Sequence, residues 1–97
     1  MAYKIVWTPQ AKSEFIEILE YWSLRNNSNA YSIKLITSLS HSLKILKKFP
    51  EIGKLSDHEH IRKLIVRDYN VYYKIEEENI ILLKIWDVRK DPLSFGL

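Results

Sequence analysis

The 97-residue chain contains no cysteine, only two glycines and three prolines. The absent thiols exclude a disulfide framework and a thiolate metal site, and fit a reducing cytoplasmic compartment. Two glycines, Gly53 and Gly96, are too few for a phosphate-cradling loop, so nucleotide chemistry of that kind is not expected. No apolar run approaches the roughly 20 residues of a membrane helix, and Met1-Ala2-Tyr3-Lys4-Ile5 lacks a signal-peptide core. No membrane partner and no cofactor is therefore expected. What is present is an apolar fraction of 46% and aromatics at 12%, enough for one packed domain over residues 1–97. The formal net charge is +3, with the excess of cations in the first half of the chain. From Pro50 onward cations and acids nearly balance, so any cationic surface there must come from geometry.

Tyr3, Ile5 and Trp7 alternate with Lys4 and Val6, a short strand with one apolar face. Thr8-Pro9 reads as a helix N-cap followed by a proline at the first helical position. Ala11, Phe15, Ile18, Leu19 and Trp22 then fall at helical spacing, while Glu14, Glu17 and Glu20 lie off that stripe and read as solvated. Arg25-Asn26-Asn27-Ser28-Asn29 breaks the helix, with Ser28 or Asn29 capping a second one. That second helix carries Ile36, Leu39, Leu43 and Leu46, supplemented by Leu35 and Phe49, and Pro50 ends it. The short loop implies an antiparallel helical hairpin.

Three β-rich runs follow: Ile61–Arg67, Tyr69–Ile75 and Ile80–Trp86. Asp68 marks a tight turn, and Glu76-Glu77-Glu78-Asn79 links the second run to the third, connections short enough to require antiparallel pairing. Ile80-Ile81-Leu82-Leu83 is apolar on both faces and predicts an interior strand. Tyr69, Val71, Tyr73 and Ile75 share one face of the middle strand, with Asn70, Tyr72 and Lys74 on the other. The expected architecture is α+β in the order β-α-α-β-β-β, a helical hairpin packed on a small, mainly antiparallel sheet. Trp7, Phe15, Leu39, Leu46 and Leu82 are its expected core, and Trp86 is expected there too, although Tyr72 and Trp86 also suit exposed stacking platforms. Each run sets basic residues between apolar ones, and a sheet presenting cations suits an anionic partner such as nucleic acid. Asp57-His58-Glu59-His60 is the one His/acid cluster; it offers two metal ligands without an evident third, so no metal site is expected.

Taken in order, Ile5-Val6-Trp7-Thr8-Pro9-Gln10-Ala11, Leu46-Lys47-Lys48-Phe49-Pro50, Ile52-Gly53-Lys54, Ile61-Arg62-Lys63-Leu64, Tyr69-Asn70-Val71-Tyr72-Tyr73 and Ile85-Trp86-Asp87-Val88-Arg89-Lys90-Asp91-Pro92 resemble the RelE/ParE toxins of bacterial type II toxin–antitoxin systems. The resemblance implies a small toxin neutralised by a cognate antitoxin, with plasmid stabilisation and growth inhibition as its biology. It implies one of two targets, DNA gyrase or ribosome-bound mRNA. Cleavage of RNA through its 2′-hydroxyl needs a base, cations for the phosphorane charge and a proton for the leaving oxygen. In the nuclease branch these fall to sheet Lys and Arg residues, an Arg after the middle-strand Tyr, and a C-terminal Tyr. Arg62 or Lys63 matches the sheet cations and Arg89 the late Arg, so these three are the catalytic candidates of that reading, with His60 or Glu59 as an alternative base. Asn70 stands where the middle-strand Arg would be, and Phe95 where the Tyr would be. Both departures favour the gyrase-inhibiting branch, with the nuclease and a non-toxic antitoxin-binding relative as alternatives. Lys54, Arg67, Lys90 and Phe95 are the expected target-binding residues.

Overall fold

The computed structural model describes residues 3–90. Strand β1 (Lys4–Trp7) leads into α1 (Pro9–Asn26) and α2 (Ala30–Lys48), followed by β2 (Lys54–Leu55), β3 (Arg62–Val66), β4 (Tyr69–Glu76) and β5 (Asn79–Asp87). The five strands form one sheet in the order β1-β5-β4-β3-β2. β1 runs parallel to β5, and the other neighbours are antiparallel. The expected architecture is present, with one addition: β2, two exposed residues on the outer edge, too short to carry an alternating pattern.

Local chemistry accounts for the helix ends. Thr8 Oγ1 accepts the Ala11 amide at 3.2 Å and donates to the Leu82 carbonyl at 2.7 Å, so the α1 cap also ties the helix to β5. Asn27 closes α1 in the left-handed region at φ 49°. Ser28 Oγ accepts the Ala30 amide at 3.1 Å where α2 begins.

Leu35, Leu39 and Leu46 of α2, with Ala11 of α1, pack on Val66, Tyr69, Val71, Tyr73, Ile80, Leu82 and Ile85. Trp7 and Phe15 pack against this core half-buried, their rings 5.7 Å apart. Ile36 and Phe49, expected inside, are 43% and 61% exposed, because the packed face of α2 centres on Leu35, Leu39 and Leu46. A register shift explains the odd spacing of core residues on β5. Tyr73 pairs with Leu82 but Tyr72 with Lys84, leaving Leu83 as an extra residue. Beyond it Ile85 rather than Lys84 continues the core face. Tyr72, a candidate stacking platform, is 9% exposed and so offers little surface. Trp86 is also displaced from its expected place: it is half-buried outside the core, with the Lys84 and Lys90 ammonium groups 5.0 and 5.7 Å from its ring centre.

Gly53 lies against Tyr73, whose hydroxyl accepts the Gly53 amide at 2.9 Å and donates to the Pro50 carbonyl at 2.7 Å. Burial pushes the Tyr73 phenol above its usual pKa. A Cβ at position 53 would sit 2.5 Å from Tyr73 Oη and 2.9 Å from the Lys63 carbonyl. Gly53→Ala is therefore expected to cost about 1–3 kcal/mol through overpacking against backbone. Urea unfolding reads this directly, and an unchanged midpoint would show that the loop relaxes freely.

Candidate functional site

β1 ends opposite Leu82, so the rest of β5 has an open edge along which α1 passes. There Glu14 caps the strand. Its Oε1 accepts the Ile85 amide at 3.0 Å, and its Oε2 accepts from Lys84 Nζ at 2.6 Å. Glu14 is thus no solvated residue, since its side chain is 22% exposed and that of Lys84 only 6%. The helix stripe alone did not show this, because both partners lie some seventy positions away.

Next to this cap, α1 and the end of β5 enclose a groove of about 740 Å³. Trp22 is its pillar. The indole Nε1 donates to Tyr69 Oη at 2.7 Å, and the ring meets Tyr21 edge-on at 5.1 Å. Burial raises the Tyr69 pKa, and the Trp22 hydrogen bond opposes that only in part. The guanidinium carbons of Arg25 and Arg89 lie 6.0 and 5.9 Å from the Trp22 ring centre. Arg89 also grips Asp87 with two parallel hydrogen bonds, Nε to Oδ1 at 3.0 Å and Nη2 to Oδ2 at 2.8 Å. This hydrogen bonding holds the Asp87 carboxyl below its usual pKa and raises that of Arg89. Lys90 lines the same groove. Arg25 was expected in the helix break, but α1 continues through Asn26, which places Arg25 three and four positions after Trp22 and Tyr21, the spacing of one shared helix surface.

The other site candidates lie apart. Arg62 and Lys63 are neighbours on β3 and face opposite sides of the sheet. Arg62 Nη1 donates to the carbonyls of Gly53 at 2.8 Å and Glu51 at 3.1 Å, which ties down the loop before β2. Lys54, Lys63, Tyr72 and Lys84 fall in one cross-strand row. Arg67 sits at the β3–β4 turn with φ 54°, its Nε donating to Ser38 Oγ of α2 at 2.8 Å. Asn70 Nδ2 meets Tyr72 Oη at 3.4 Å. His58, Glu59 and His60 are exposed in the loop before β3, and no three His, Asp or Glu among the described residues are grouped to hold a metal ion. Phe95 lies outside the described residues.

The groove therefore offers aromatic surface and three cations, beside the carboxylates of Glu14, Glu17 and Asp87, with no histidine among its lining residues. No helix among the described residues is long and apolar enough to cross a membrane.

Comparison with known proteins agrees with this fold. The chromosomal ParDE toxin–antitoxin system from P. aeruginosa includes a chain that superposes with a TM-score of 0.76 at 16% identity, covering 89% of this chain and 96% of that one. A chain of the RelBE2 toxin–antitoxin complex from Mycobacterium tuberculosis gives a TM-score of 0.59 at 14% identity, covering 90% and 99%. No curated protein matches the sequence. The family model described as the ParE toxin of the type II toxin–antitoxin system parDE matches residues 5–92. The chain belongs to the ParE toxin family of type II toxin–antitoxin systems.

Proposed function

We propose that this toxin acts by inhibiting DNA gyrase and is neutralised by a cognate antitoxin. The observation that carries this reading is the dispersal of the cations that RNA cleavage would need to converge. Arg62 is spent on loop carbonyls, Lys63 points to the opposite face, and Arg89 lies beyond the end of β5 in a closed pair with Asp87. Asn70 supplies no charge between them. A phosphorane needs several preorganised charges at one point. The α1–β5 groove instead suits a protein partner, with aromatic anchors and arginines of the kind that dominate interfaces.

The antitoxin is an acidic segment that folds onto the groove, where Tyr21 of α1 is 52% exposed. The similar ParDE and RelBE2 structures, both toxin–antitoxin systems, support such a partner.

Induction in cells tests the target. The expected result is intact translated messages by primer extension, together with DNA damage and filamentous growth. Ribosome-dependent cuts that vanish in Arg89→Ala would overturn the proposal in favour of the nuclease. A nuclease using Arg89 would lose about 2–4 kcal/mol of barrier stabilisation in that variant.

A further inference from the structure

The charge of this molecule is unevenly placed. Helix α2 carries Lys34, Lys44, Lys47 and Lys48 and no acidic residue. The remaining residues hold eleven of the fifteen Lys and Arg against all twelve acids, so outside α2 the chain has a formal charge of −1. The whole net positive charge thus sits on one helix, away from the α1–β5 groove, whose lining includes no α2 residue.

The lysines share one side. Ile33, Thr37, Ser40, Lys44 and Lys47 follow 4-3-4-3 spacing along the exposed face, and Lys34, His41 and Lys48 run beside them at intervals of seven. All eight are exposed. Among the described residues no carboxylate pairs with any of the four lysines. From Lys34 to Lys48 the strip extends roughly 20 Å along a straight helix. Lys47 and Lys48 also complement the C-terminal end of the helix dipole, but Lys34 in the second turn opposes it, so dipole capping does not explain the set.

From this strip we infer that α2 is a docking face for the phosphate backbone of duplex DNA. Beyond Ile33 its centre line carries the Ser40 hydroxyl and the Lys44 and Lys47 ammonium groups, donors of the kind used for phosphate contacts, while the Thr37 hydroxyl donates to the Ile33 carbonyl at 2.9 Å. An acidic amphipathic helix would need an apolar centre line, whereas Ile36 and Ile45 lie only at the margins. Single-stranded nucleic acid would need aromatic platforms, and the strip has none. The inference stands on charge placement alone and does not depend on gyrase being the target.

Fluorescence anisotropy of a labelled short DNA duplex, titrated with the full chain, tests it. Neutralising four phosphates predicts an affinity that falls on the order of 10²-fold between about 50 mM and about 200 mM salt. A variant combining Lys34→Gln, Lys44→Gln, Lys47→Gln and Lys48→Gln should lose most of the binding at low salt and most of the salt dependence. The matching set of four Lys→Arg changes should retain both, and Lys4→Gln with Lys12→Gln should leave them unchanged; far-UV circular dichroism confirms that each variant folds. No binding by the unaltered chain up to about 10⁻⁴ M at low salt would overturn the inference. So would undiminished binding by the folded Gln set, or tighter binding to single-stranded RNA of equal length. Displacement of the duplex by an equimolar acidic peptide of equal charge would overturn it in favour of a protein partner.

Discussion

Leu82→Ala should cost about 2–5 kcal/mol of folding free energy. Leu82 is fully buried, in register with Trp7 of β1 on one side and Tyr73 of β4 on the other. Its backbone carbonyl receives both the Thr8 amide at 3.2 Å and the Thr8 hydroxyl at 2.7 Å, so the position is fixed by the α1 cap. The surroundings therefore have little freedom to collapse into the void, and the unfilled volume keeps most of its cost. For a domain whose total stability is about 5–15 kcal/mol, the loss is a large fraction. Leu39→Ala, at 3% exposure on α2, should fall in the same range. Urea unfolding of both variants checks the packing, and losses below about 1 kcal/mol at both positions would mean that the helical layer does not rest on the sheet as described.

The second large effect is expected at Glu14. Removing one member of a buried ion pair leaves the other charge desolvated, at a cost of about 3–5 kcal/mol when burial is complete. Glu14 remains 22% exposed, which admits some water, so Glu14→Ala should cost about 2–4 kcal/mol. Part of that loss comes from the Ile85 amide, which would face the open edge of β5 without its acceptor. A double variant, Glu14→Gln with Lys84→Met, separates the contributions. The glutamine carbonyl can still accept the Ile85 amide and no charge remains buried, so the pair should recover most of the stability. If Glu14→Ala alone unfolds at the same denaturant concentration as the unaltered chain, the cap does not hold the strand edge.

These residues show which features can be read along a sequence. Thr8-Pro9 announces a helix start because capping is settled within four residues, and the turn at Asp68 sets antiparallel pairing because two strands joined so closely have no other option. The helical stripe of α1 was legible for the same reason. Glu14 was not, since its role depends on where β1 stops beside β5, a fact of sheet topology and not of helix periodicity. The bulge at Leu83 was hidden by an unbroken apolar run, in which either phase of alternation looks equally good. At the site, strand parity already sets Arg62 and Lys63 on opposite faces, but the carbonyls that engage Arg62 come from a loop whose path the sequence leaves open. Arg89 and Lys90 were singled out from the resemblance, and the structure joins them to Arg25 and Trp22 of α1 across a distance in sequence that no local pattern spans.

The target is tested most directly by supercoiling of relaxed plasmid by purified gyrase and ATP, with the toxin added in increasing amounts and the antitoxin added last. Gyrase inhibition predicts that supercoiling falls as toxin rises and returns when antitoxin is present in stoichiometric amount, while ribosome-bound mRNA stays whole under the same conditions. Full supercoiling at a large excess of folded toxin, together with cleavage of ribosome-bound mRNA, would contradict it.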